Sequence, residues 1–206
     1  MLLKKLITLI LVLFMSSTVA SELTGFDGFD WGSSRDDVVQ VKGSPKYNWG
    51  TSSMWSVAGS ESVGGYAIEN VYFGFKEGCS ELKETISEPC YMWGGSYSLI
   101  SPTRSLFDEL TPKIAGRYGS YTEEITTVPK EVYSTKQFLG NIVATRRIFD
   151  LDDGSRVTIN QQERDRAWSE WEKQKEKGVY HIGIIYESSE KIASLQQAEK
   201  NKSKDF

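Results

Sequence analysis

Histidine is nearly absent from this 206-residue chain: His181 is alone. Any mechanism that passes protons through an imidazole would have to use it. Cysteine is almost as scarce. Cys79 and Cys90 lie eleven positions apart, which is neither a C-x-x-C redox motif nor half of a recognisable zinc set. No G-x-S-x-G nucleophile elbow occurs. Basic charge is in deficit, with 24 Lys and Arg against 28 Asp and Glu. An acidic chain has no general electrostatic pull toward nucleic acid or anionic lipid. After residue 20 no run is apolar enough to cross a bilayer. Aromatic residues, by contrast, are plentiful at 12%, including six Trp and ten Tyr. Such a composition argues for a folded core and against disorder.

The one long apolar run is at the start. Lys4 and Lys5 precede the uncharged residues 6–15 (LITLILVLFM), and Ser16-Ser17-Thr18-Val19-Ala20 follows. Charged, apolar and small-residue regions in this order make a secretory signal. An apolar run of about ten residues is too short for a hydrocarbon core that needs about twenty. The expectation is cleavage after Ala20, a single domain over residues 21–187, and a polar tail over 188–206, delivered to the periplasm or secreted. No cysteine follows the cut, so no lipid anchor is expected there. Loss of Lys4 and Lys5 leaves 22 basic against 28 acidic residues, a net charge of −6. An oxidising destination implies a Cys79–Cys90 disulfide. A loop this short would contribute about 2–3 kcal/mol.

The predicted class is α+β: a mainly antiparallel sheet with two or three helices packed on one side. Residues 24–31 read as extended. Residues 33–42 read as a short helix that Ser33 caps, Asp36 supports and Gly43 stops. Residues 46–66 are polar and read as a loop or irregular strands. Residues 68–75 alternate as a strand, and 91–100 form another, interrupted by Gly94-Gly95. Ser101 and Pro102 open a helix whose Leu106, Leu110, Ile114 and Tyr118 recur every four residues. Pro112 predicts a kink in it. Strands are expected over 131–139, 142–151 and 156–161, the last two joined through Asp152-Asp153-Gly154. Residues 163–177 read as a charged helix with Trp168 and Trp171 on one face. The apolar residues 179–186 read as a central strand.

Phe29-Asp30-Trp31-Gly32-Ser33-Ser34-Arg35-Asp36-Asp37-Val38, running on to Gly43-Ser44-Pro45, resembles the W-G-x-S…V…G-x-P opening of many small exported bacterial α+β proteins. The helix ending at Tyr118-Gly119 resembles their later L…L…Y-G segment. The first motif is also similar to the helix opening of outer-membrane-assembly lipoproteins and of β-lactamase-inhibitor-like domains. That resemblance implies a protein-binding module without catalysis.

No catalytic constellation, metal site or cofactor is expected from the residues. Asp150-x-Asp152-Asp153-Gly154 suggests a calcium loop only until its twelfth position, Gln161, where a bidentate Glu is required. Glu123-Glu124 and the pair Glu163/Asp165 are acids without a recognisable glycosidase setting. Two functions follow. The first is a non-catalytic domain that binds a protein or an envelope component. The alternative is a carbohydrate-binding module that offers Trp49, Trp55, Tyr66, Trp93 and Tyr97 of segment 47–97 as stacking rings.

Overall fold

A computed structural model of the chain describes residues 22–49, 52–57, 59, 61–76, 91–131, 138–170 and 173–203. The expected signal, Cys79, Cys90 and Trp171 lie outside these residues, and so do the side chains of Trp49 and Trp168. The fold is α+β. A small hairpin, β1 (Gly25–Phe26) and β2 (Phe29–Asp30), precedes helix α1 (Arg35–Lys42). Strands β3 (Tyr47–Trp49), β4 (Ser52–Ser56), β5 (Ser62–Val63), β6 (Tyr66–Phe75) and β7 (Met92–Leu99) follow. Helix α2 (Arg104–Tyr118) leads into β8 (Thr122–Glu131), β9 (Phe138–Asp150) and β10 (Arg156–Arg164). A ribbon of β11 (Trp168–Glu170) and β12 (Lys173–Lys175) separates these from β13 (Gly178–Glu187), and helix α3 (Ser189–Lys202) comes last.

Eight strands form one antiparallel path in the order β3-β4-β6-β7-β13-β10-β9-β8, with β5 appended to β6. Each half of the chain starts with a helix and lays its strands from an edge toward the middle. The halves meet where β7 pairs with β13. The sheet is therefore a two-fold-like join of α1-β3-β4-β6-β7 with α2-β8-β9-β10-β13.

Directly opposed residues of an antiparallel ladder share a face. Across the middle, Trp55, Val71, Tyr97, Ile184, Ile159 and Arg147 form one row. This inner face, with Phe73, Phe149, Val157, Ile182 and Tyr186, packs on Phe26, Val38, Phe107 and Leu110. The Phe26 ring lies 5.3 Å from Phe73, 4.7 Å from Tyr97 and 5.4 Å from Tyr186. Gly95 makes room for it, since a Cβ there would overlap that ring. Both α1 and α2 sit on this face: Arg35 lies over Phe75 and Arg147 over Phe107.

Several elements depart from the sequence expectations. Residues 163–177 are not helical. Arg164 instead pairs with both Ile142 and Gly178, and Trp168–Glu170 pairs with Lys173–Lys175. Long-range pairing overrides the helical preference of a Glu- and Lys-rich stretch. Residues 122–131, of which only Glu131 is expected in a strand, form the edge strand β8. Residues 132–137, six of the nine in the strand expected over 131–139, lie outside the described residues. Gly94-Gly95 does not interrupt β7, because the ladders on both sides continue through it. The α2 cap is Thr103, which accepts from Leu106 N, and Ser101 instead adopts φ +50°. Pro112 leaves α2 unbroken. It lies on the exposed side, where water can satisfy the freed carbonyl. The α1 cap is Ser34 in a box with Asp37, one residue beyond the expected pair. The extended residues 24–31 form the β1–β2 hairpin, and the polar tail takes its helical form as α3, tied in by buried Ile192. Strand β13 is central, and Asp152-Asp153-Gly154 does turn β9 into β10.

Candidate functional site

With one face of the sheet spent on the core, the other is the larger feature. Ser56, Asn70, Ser98, Gly183, Asn160, Arg146 and Glu124 form one row across it. Tyr72, Ser96, Ile185, Thr158, Ile148 and Thr122 form the next. These are the outward members of alternating strands, as in β10, where Val157, Ile159 and Gln161 point inward and Thr158, Asn160 and Gln162 outward. Neither α1 nor α2 packs here. Helix α3 reaches one corner, where Lys191 pairs with Glu187 and lies against Gly94. Asn160 is 7% exposed, yet its Oδ1 has no hydrogen-bond partner among the described residues. An unsatisfied buried acceptor costs stability, so its retention needs another reason.

A cleft of about 440 Å³ opens at one end of this face. Ser56, Glu69, Ser98, Leu99, Ile100, Ser101, Pro102, Tyr180 and His181 line it. Two backbone irregularities build it. Glu69 sits where the β6–β7 register slips between Ile68 and Asn70. The β10–β13 register slips between Gln162 and Glu163, which brings Tyr180 round beside His181 instead of opposite to it. The Tyr180 hydroxyl donates to Gln162 Oε1 at 2.7 Å, and Arg164 stacks 3.8 Å from the Tyr180 ring centre. Burial pushes His181 below its ordinary value, with the Glu69 charge opposing. Burial and then Glu69 raise Tyr72.

Ser98 Oγ lies 3.4 Å from His181 Nδ1, and the Nε2 edge rests against Gly183. A nucleophile relay needs an acid hydrogen-bonded to the second nitrogen, and none is present among the described residues. Nor do three His, Cys, Asp or Glu side chains gather there around a metal position.

No family model matches the chain, and no curated protein or solved structure matches it.

Of the rings proposed from sequence as a sugar platform, Trp55 and Tyr97 lie on the inner face. Trp55 is 5% exposed, packs on Phe73 at 5.1 Å and donates from Nε1 to Gly43 O at 2.9 Å. Tyr97 is on the same inner face, and its hydroxyl donates to Asp27 Oδ1 at 3.0 Å. Tyr66 is half-buried under the Lys113 ammonium, 4.3 Å from the ring centre. Trp93 is half-buried in β7. Trp55 and Tyr97 thus turn inward with the core alternation and offer no ring face to a sugar. Of the other candidate acids, Asp153 ties Leu23 N and Ser155, and Asp150 pairs with Arg156. Glu123 is held by Arg147, Glu163 by Arg104, and Asp165 accepts from Asn141. Sequence reasoning missed Glu69, Asn160, Gln162 and Tyr180. The outward Thr-x-Asn-x-Gln pattern of residues 158–162 was the available signal. The two bulges left none.

Proposed function

We propose that this chain is an exported, non-catalytic domain that holds a protein or an envelope component on the open face of its sheet. The observation that carries the reading is the division of labour between the two faces. Helices, hairpin and aromatic core occupy one, while neither α1 nor α2 packs on the other, whose middle carries Ser96, Ser98, Thr158 and Asn160, the last three nearly buried. Interface centres are depleted in charge, and a broad, rigid sheet presents such a surface with little entropy to lose. The amino-terminal signal pattern and the resemblance of residues 29–45 to the openings of binding modules agree with it. Among the described residues no helix is long and apolar enough to cross a membrane.

The test is capture from an envelope extract by the full chain, produced with its leader. Ser96→Arg and Gln162→Arg place bulk and charge on the open face, whereas Glu109→Ala alters an exposed site on α2. One specific partner should be recovered by the parent and by Glu109→Ala, and lost with both arginine variants while their thermal midpoints hold. Equal recovery by all of them, or turnover of a captured component, would defeat the proposal.

A further inference from the structure

We infer that the cleft beside His181 receives a basic side chain, lysine or arginine, presented by the partner, an inference that rests on the binding reading above. Glu69 is exposed on the bulge of β6, and its carboxylate has no ion pair or hydrogen bond among the described residues. Most acids near the other clefts are engaged, as Asp27 is with Lys42 and Glu123 with Arg147. Glu69 lines the cleft together with Ser98 and His181.

The rest of the cleft fits a long stem with a charged tip. Ile100 and Pro102 supply an apolar wall, and Tyr180 an aromatic side. A lysine or arginine stem buries its methylenes on such a wall while its head stays polar. Ser98 Oγ adds an acceptor near the floor. Arg164, beside Tyr180, is stacked on that ring, with an Nη1 contact to Glu176 O at 3.5 Å. An anionic ligand would instead meet the unpaired Glu69. The acidic balance of the whole chain also favours a basic partner during encounter.

The single histidine makes the test clean, because the imbalance of one imidazole signal reports on one place. The full chain would be titrated with acetyl-arginine amide, acetyl-lysine amide and the neutral acetyl-citrulline amide at constant pH and ionic strength, with His181 followed by proton–carbon NMR. A saturable shift with arginine or lysine and none with citrulline is expected. Which of the two shifts it further identifies the head group. Glu69→Gln should weaken the effect roughly fivefold, and Ser56→Lys should abolish it by placing an ammonium at the rim. Both sites are exposed, so the fold should persist, as unchanged thermal midpoints would show. Citrulline binding as well as arginine, or no shift with either cation, overturns the inference. Capture that survives Glu69→Gln alongside a silent cleft would leave the binding reading standing. Cation binding without any captured partner would sink that reading alone.

Discussion

Counted outward from the central Tyr97–Ile184 pair, Trp55 in the first half and Arg147 in the second hold the same place. Both join sheet to helix, by opposite means. Trp55 is buried against Phe73 and bonds the carbonyl of Gly43 at the end of α1. Arg147 spends its guanidinium on Asp108 and Thr111 of α2 and on Glu123 of β8, and stacks on Phe107. The apolar solution closes its half. The charged one leaves a cleft of about 230 Å³ floored by Gln161, whose buried Oε1 has no partner among the described residues. Ile125 at its rim remains 64% exposed. One backbone plan thus carries a closed sheet-to-helix joint in one half and a looser one in the other.

That contrast can be broken at its strong end first. Trp55→Ala should cost about 3–5 kcal/mol in denaturant unfolding, because a large buried ring leaves a cavity that its neighbours fill only in part. Gly95→Ala should cost about 1–3 kcal/mol by driving a methyl into Phe26. Arg147→Met should cost less than Trp55→Ala, about 1–2 kcal/mol, since it removes several bonds but leaves Asp108 and Glu123 in water. A loss for Arg147→Met equal to that for Trp55→Ala would mean the halves are sealed alike. Asn160→Val on the open face should raise stability by about 1 kcal/mol while weakening partner capture. The smallest effect is in pH. His181 has a lowered pKa in the fold, so the unfolded chain binds the extra proton first. Its contribution is complete above about pH 6.5 and is lost as pH falls toward the folded value. Unfolding curves at about pH 7.5 and about pH 5 should differ less for His181→Gln than for the parent.

What was legible in sequence followed from local chemistry. The run of residues 179–186 announced a central strand, Asp-Asp-Gly a hairpin, and Gly119 the end of α2, because each depends on its own neighbours. The segment 163–177 misled because its Glu, Lys and Arg favour a helix when read alone. Its conformation is set by Ile142 and Gly178, distant in sequence. Alternation within β13 placed His181 and Gly183 on one face correctly, but the bulge opposite Glu163 moved Tyr180 across to join them. The tryptophans invited a surface role because composition does not say which way a strand faces. Trp55 on β4 turns inward.

The open face as the binding surface is the central claim, and His181 can report on it directly. Diethyl pyrocarbonate modifies accessible imidazole, so its reaction with this single histidine would be timed on the free chain and on the chain saturated with its captured partner. The account predicts that modification slows markedly in the complex and that Glu109→Ala leaves the slowing intact. Modification at the same rate in both states would place the partner elsewhere and contradict it.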